Sequence, residues 1–329
     1  MPTPMIRRTL LAAVLIAALV APSGLRQAAA QQEPQQPLKV ESTLVNLYAT
    51  VRDKRHAIIA DMKKEEFKIY EDGVEQKVEF FSRETELPLT MGILIDASGS
   101  VERLLGAEQA TASGFLEKVM RKSDEAMVMS FDLGADLVED FTSDVSQLER
   151  GIRSVRINTE GGNARGGPLS TPGTFPTSGP IGTVFYDAVY LACREKLGPE
   201  AGRKAIIVLT DAEDNGSKKR LEEAIEAAQR SDTVIHILLQ SASFFGGRGG
   251  DGIARKMTNE TGGRTIDVRS AKDLEKAFDE ISDELRSQYT LGYIPTNPAH
   301  DGKFRRIRVE STRPDTKVLA RQGYYASRR

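Results

Sequence analysis

Between residues 90 and 287 the chain alternates two kinds of pattern. Short apolar runs without alternation fall at 90–95, 126–131, 136–141, 204–209, 233–239 and 264–268. Segments with apolar positions three and four apart fill the gaps, near 102–121, 146–155, 183–197, 218–230, 252–261 and 272–287. Continuous apolar runs read as strands buried on both faces, and the intervening periodicity reads as amphipathic helices. Strand–helix alternation of this length predicts an α/β domain: a doubly wound, mainly parallel six-stranded sheet with helices on both faces. The second and third strands are close enough in sequence to form a hairpin, which makes one edge antiparallel. Thr261-Gly262-Gly263-Arg264 reads as a helix stop with a left-handed glycine leading into the last strand.

The flanks carry a different period. Residues 43–51 alternate apolar and polar, and runs at 67–73 and 76–81 follow, joined by the Asp-Gly turn in Glu71-Asp72-Gly73-Val74. After residue 287 strand-like runs return at 288–295, 304–310 and 317–325. Neither flank has enough strands to bury a face alone. The two are therefore expected to pair into a small β-sandwich-like module, with the α/β domain inserted between them. The resulting division is a leader at 1–30, a Gln/Pro-rich spacer at 31–37, β strands at 38–88, the inserted domain at 89–287 and the closing strands at 288–326.

The candidate chemistry sits where two strands end. Met91-Gly-Ile-Leu-Ile-Asp96-Ala-Ser98-Gly-Ser100 runs from a buried strand into a carboxylate and two hydroxyls, and Lys204-Ala-Ile-Ile-Val-Leu-Thr210-Asp211 repeats the design with one acid. Between them, Gly182-Thr183-Val-Phe-Tyr-Asp187 opens a helix. In open α/β sheets, ligands lie in the crevice beyond the carboxyl ends of the strands, where all three segments point. A carboxylate with two hydroxyls on a tight turn is a set of hard oxygen donors suited to a small divalent cation, above all Mg²⁺. The plainer reading is a helix start, with Ser100 as N-cap and Ser98 in the turn.

Taken together, these residues resemble a von Willebrand factor type A domain with a complete metal-ion-dependent adhesion site. The resemblance implies that Asp96, Ser98, Ser100, Thr183 and Asp211 hold the cation, the hydroxyls directly and the acids largely through water. It implies Mg²⁺, with Mn²⁺ and Ca²⁺ as alternatives, and a partner protein that presents an Asp or Glu carboxylate to the metal. Thr174 and Thr177 lie in the same long loop, but only Thr183 directly precedes the helix pattern. Glu-Asp-Gly at 71–73 and Gly-Tyr-Tyr at 323–325 extend the resemblance over nearly the whole mature chain, to type A-related exported bacterial proteins frequent in Acidobacteria. Two other functions compete with adhesion: a structural cell-envelope protein stabilised by its metal, and a metal-dependent hydrolase. Against the hydrolase, no His, Lys or further carboxylate is placed as a general base, and Asp96 and Asp211 are already committed. Asp187 and Asp214 are explained by helix-face solvation and helix N-terminal placement. Nor is Asp-Ala-Ser-Gly-Ser the Gly-x-Ser-x-Gly nucleophile turn. The expectation is a non-enzymatic binding module.

Composition narrows the setting. Residues 1–30 hold Arg7-Arg8, an apolar run over 10–21 and Ala28-Ala29-Ala30, the three parts of a secretory signal, so a periplasmic, secreted or envelope location is expected. Removing that segment takes three arginines and no acids, which moves the formal charge from −2 to −5. A mildly acidic mature chain with no membrane span argues against nucleic acid and anionic lipid as partners. Cys193 is the sole cysteine and His56, His236 and His300 are scattered, so neither a disulfide nor a zinc site is expected. Cys193 and His236 both fall in apolar patterns and read as core residues. The 25 residues from Asn158 to Gly182 form a Gly/Pro/Ser/Thr-rich loop beside the proposed cation, either a lid that contacts a partner or a flexible insertion. Phe244-Phe245 sits in a second Gly-rich loop on the same rim, either as an exposed contact or tucked under the next helix.

Overall fold

Burial fixes the class of the central strands. The segments Leu89–Asp96, Arg203–Thr210 and Thr233–Gln240 are buried at every position, as parallel strands covered on both faces must be. The computed structural model describes residues 44–83, 87–157, 182–240 and 249–328, which fall within one compact unit, Ser42–Arg329. The leader and spacer, most of the 158–182 loop with Thr174 and Thr177, and Phe244-Phe245 lie outside the described residues.

Strands β1 (Val45–Asp53), β2 (Phe67–Glu71), β3 (Val74–Gln76) and β4 (Val78–Ser82) come first. The central domain follows as β5 (Leu89–Asp96), α1 (Glu102–Val119), β6 (Glu125–Phe131), β7 (Ala135–Thr142), α2 (Val145–Ser154) and α3 (Phe185–Leu191). A π-helical turn, Ala192–Leu197, extends α3 before β8 (Arg203–Thr210), α4 (Leu221–Arg230), β9 (Thr233–Gln240), α5 (Gly249–Thr261), β10 (Thr265–Val268) and α6 (Ala271–Leu285). The chain closes with β11 (Tyr289–Tyr293), β12 (Phe304–Ser311), β13 (Thr316–Leu319) and β14 (Gly323–Tyr325).

Among the described residues, six strands form the central sheet in the order β10-β9-β8-β5-β6-β7. All neighbours are parallel except the β6–β7 hairpin. Helices α1, α2 and α6 bury Phe115, Leu148 and Phe278 on one face, with the Phe115 and Phe278 rings stacked at 4.6 Å. Helices α3, α4 and α5 bury Phe185, Ile225 and Met257 on the other. The chain leaves β5 toward β6 and returns on its other side through β8, so winding reverses between β5 and β8. Their carboxyl ends frame the crevice in which such folds place ligands.

The flanking strands interleave. Two four-stranded sheets form, β13-β1-β11-β4 and β14-β12-β2-β3, each mixing strands from before and after the central domain. Leu47 stands opposite Leu291 and Ile69 opposite Val309, and Val51, Phe67, Tyr289 and Ile307 fill the space between the sheets. Buried Glu71 accepts hydrogen bonds from the hydroxyls of Tyr293, at 2.7 Å, and Tyr324, at 3.1 Å. The Asp72-Gly73 turn closes the β2–β3 hairpin with both residues at positive φ, 48° and 86°.

Two strands predicted as continuous are divided. The run 76–81 breaks at Lys77, where the chain passes from β3 in one sheet to β4 in the other. The run 317–325 breaks between β13 and β14, where Gln322 donates its N–H to the Glu260 carbonyl of α5 at 3.2 Å. That contact depends on Gly262 (φ 88°), since a Cβ there would stand 2.6 Å from the Arg321 nitrogen.

Candidate functional site

The site begins with a carboxylate driven into the sheet. Asp96 ends β5 and is fully buried. One oxygen accepts the Ser98 N–H at 2.9 Å and the other accepts the Thr210 hydroxyl at 2.6 Å. Burial pushes the Asp96 carboxyl up to about 6, the hydrogen bonds from Ser98 and Thr210 oppose that rise, and the Asp211 charge adds to it. No basic side chain is among these neighbours to compensate the buried charge.

The loop that follows does not behave as a helix cap. A single 3₁₀ turn, Gly99–Val101, separates Asp96 from α1. Ser98 precedes that turn without a side-chain capping bond, and α1 itself is preceded by Val101, also without one. The plainer reading of Ser100 as N-cap is therefore overturned. Instead the Ser98 and Ser100 hydroxyl oxygens lie 3.0 Å apart, with Ser100 exposed at the rim.

Thr210 is the residue that sequence reasoning passed over. Leu209 is paired with Ile95 across β5 and β8, so the next position sets Thr210 beside Asp96. Its hydroxyl oxygen also accepts the Ala212 N–H at 2.9 Å. Ala212 follows Asp211 in the left-handed region, at φ 58°, which costs a non-glycine residue roughly 1–2 kcal/mol. Strain of this kind persists only where the surroundings impose it. Here the imposed turn carries buried Asp211, one of whose oxygens accepts the Glu213 N–H at 3.0 Å.

Thr183 is held by its backbone. Its carbonyl accepts N–H groups from Asn215 at 3.1 Å and Gly216 at 3.0 Å, and Val184 donates to the Asp132 carbonyl at 2.8 Å. With the Thr183 carbonyl engaged there, α3 starts at Phe185 rather than at Thr183 as predicted. The two segments touch backbone to backbone, and a Cβ on Gly182 would stand 2.8 Å from the Asn215 carbonyl carbon. Asp187 and Asp214 complete the tie, both at the N-terminal turn of α3 as expected, but Asp187 is buried rather than solvated. Asp214 accepts the Tyr186 N–H at 2.9 Å and the Ser217 hydroxyl at 2.5 Å. Buried Asp187 accepts N–H groups from Lys218 at 3.1 Å and Lys219 at 2.7 Å, so α4 starts at Leu221 and not at Lys218.

Among the described residues, no three His, Cys, Asp or Glu side chains converge as a metal cluster. The set at this edge is of another kind, hydroxyls with two buried acids, which fits a hard, oxygen-seeking divalent cation better than zinc. Cys193 and His236 are fully buried in the core, and burial pushes the Cys193 thiol up to about 12.

No protein-family model matches the sequence, and no curated protein matches it. Solved structures resemble it in fold. A von Willebrand factor type A protein from Catenulispora acidiphila is 11% identical with a TM-score of 0.48, over 88% of this chain and 74% of that one. BatB, a conserved hypothetical protein from Bacteroides thetaiotaomicron, is 19% identical with a TM-score of 0.46, over 60% of this chain and 100% of that one. Proximal thread matrix protein 1 from the mussel byssus, solved with a zinc-occupied MIDAS motif, is 14% identical with a TM-score of 0.48, over 65% of this chain and 49% of that one. The strand order, antiparallel edge and two helix layers seen here make a Rossmann-like, doubly wound α/β sheet.

Proposed function

We propose that this protein is an exported, non-enzymatic binding module that captures a carboxylate of a partner protein through a divalent cation, with Mg²⁺ the best match. Ser98, Ser100 and Thr183 would hold the ion directly, with Asp96 and Asp211 acting mainly through water. Bound there, the cation would supply positive charge with an open coordination position, which an Asp or Glu side chain fills in a charge-assisted contact. The observation that carries the reading is the pair of rim hydroxyls of Ser98 and Ser100, 3.0 Å apart, free of capping duty and set above a buried carboxylate.

The chain's own groups favour binding over hydrolysis. Asp187 and Asp214 accept backbone N–H groups and so are held as structural ties rather than as bases. In this reading residues 1–30 are removed on export, and the strands of 38–88 and 288–326 form one module that presents the 89–287 domain. Among the described residues no helix is long and apolar enough to cross a membrane.

The test is binding of acidic peptides to the wild type and Asp96→Ala, with Mg²⁺ or with EDTA. Binding that needs both the cation and Asp96 supports the adhesion reading. A protein that takes up the cation but no peptide carries a structural metal instead.

A further inference from the structure

A second candidate site lies at the opposite end of the central sheet. Arg264 and Thr265, at the amino end of β10, help to line a cleft of about 560 Å³ between the central domain and the β-sandwich. The sandwich contributes Arg52, Lys54, His56 and Lys317, and the central domain contributes Arg255 and Arg264. Against five Lys and Arg side chains the lining sets two carboxylates, Asp53 and Asp315. Asp53 is occupied by its own turn, accepting N–H groups from Arg55 at 2.8 Å and Ala57 at 2.9 Å.

The cations fall into two tiers. At the back, Arg52 and Arg264 share buried Glu284 at 2.7 and 2.9 Å, and Arg264 also meets Glu280 at 2.9 Å. These are fixed parts of the junction. At the mouth, Lys54 pairs with Asp315 at 2.5 Å and Arg255 with Asp251 at 2.8 Å and Asp267 at 3.5 Å, and all five side chains are about half exposed or more. Exposed pairs contribute little and readily exchange partners. Lys317 is exposed and forms no ion pair among the described residues. The sandwich wall of the mouth is also strained, because His56 and Asp315, non-glycine residues in the turns beside the paired ends of β1 and β13, both sit in the left-handed region at φ 65° and 62°. Backbone strain collects at ligand clamps, and clefts between modules are preferred places for small ligands.

We propose that this cleft binds a small soluble polyanion with phosphate-type oxyanion groups, gripped by Lys317, Lys54 and Arg255. Arginine offers its planar fork to such groups and lysine a mobile point charge. The ligand bridges both modules, so occupancy stabilises their junction by mass action. The site works without the cation, because the carboxyl ends of the strands lie at the far side of the sheet.

The experiment is calorimetric titration of pyrophosphate into the metal-free full chain at low salt, for the wild type and Lys317→Glu/Arg255→Glu. Circular dichroism serves as the fold control. The neutral pair Lys317→Gln/Lys54→Gln repeats the comparison without adding acids. Saturable binding that rises in melting temperature with ligand and falls at least about tenfold in either variant is expected. No saturable binding to the wild type, or equal binding to folded variants, overturns the proposal. Glycerol phosphate in solution and vesicles containing phosphatidylglycerol separate the two sources of the same chemistry. Binding to vesicles alone overturns the assignment to a soluble ligand.

Discussion

Gly216 allows the tie between the Thr183 and Asp211 loops to be loosened without altering any proposed ligand. A Cβ at this position would press on the Gly182 carbonyl, standing 2.9 Å from its carbon and 3.2 Å from a Val184 methyl. Carbon atoms rest at about 3.5 Å or more, so the segments must part by roughly 0.5 Å. The bonds to the Thr183 carbonyl, at 3.1 and 3.0 Å, then stretch beyond useful range. Each contributes about 0.5–1.5 kcal/mol net, so Gly216→Ala should cost roughly 1–3 kcal/mol of stability. Thr183 moves with its carbonyl, so Mn²⁺ affinity by calorimetry should fall about tenfold or more. Gly262→Ala is the matched control: its Cβ would stand 2.6 Å from the Arg321 nitrogen, on a positive-φ residue where the sandwich meets α5. It should lose stability and keep wild-type Mn²⁺ affinity. Unchanged affinity in Gly216→Ala, or an equal loss in Gly262→Ala, would refute the reasoning.

Two further outcomes concern the core and the sandwich. Burial lowers His236 to about 4, with Glu284 opposing the shift and Arg264 and Arg52 adding to it. The unfolded chain protonates near 6.5, so this contribution is intact above that pH and is lost as pH falls toward 4. It amounts to about 2 kcal/mol between pH 7 and pH 5, and urea midpoints at the two pH values should show His236→Leu relieved of that drop; equal pH dependence in both proteins would count against it. In the sandwich, Glu71→Ala leaves the buried Tyr293 hydroxyl and the half-buried Tyr324 hydroxyl without their shared acceptor. It should lower stability by roughly 2–4 kcal/mol, read as a lower urea midpoint, and a shift within experimental scatter would show that the two tyrosines find other partners.

The parts of this fold legible in the sequence are those whose environment is uniform along the chain. β5, β8 and β9 are buried at every position, so an unbroken apolar run announces them. The acids at the ends of β5 and β8 stand out because charge interrupts such a run. What stayed hidden depends on contacts between distant segments. Thr210 looks like an ordinary strand residue until the register of β5 and β8 sets it beside Asp96. The starts of α3 and α4 are shifted because groups at 183 and 187, and at 215–219, bond one another before the helices can use them. The break at Lys77 reflects a change of sheet, which leaves no mark on a period-two pattern. Glu71 and the closing tyrosines were visible as motifs, but only the folded sandwich reveals that one accepts hydrogen bonds from the other.

The central claim rests on the cation, and titration of Mg²⁺ and Mn²⁺ into the metal-free wild type, Asp96→Ala and Ser100→Ala tests it most directly. The wild type should bind one ion. Asp96→Ala should lose more affinity than Ser100→Ala, because it removes a charge as well as a donor, and both variants should keep the wild-type circular dichroism spectrum. Equal affinity in the wild type and Asp96→Ala would contradict the account and leave the Asp-x-Ser-x-Ser loop without a metal to hold.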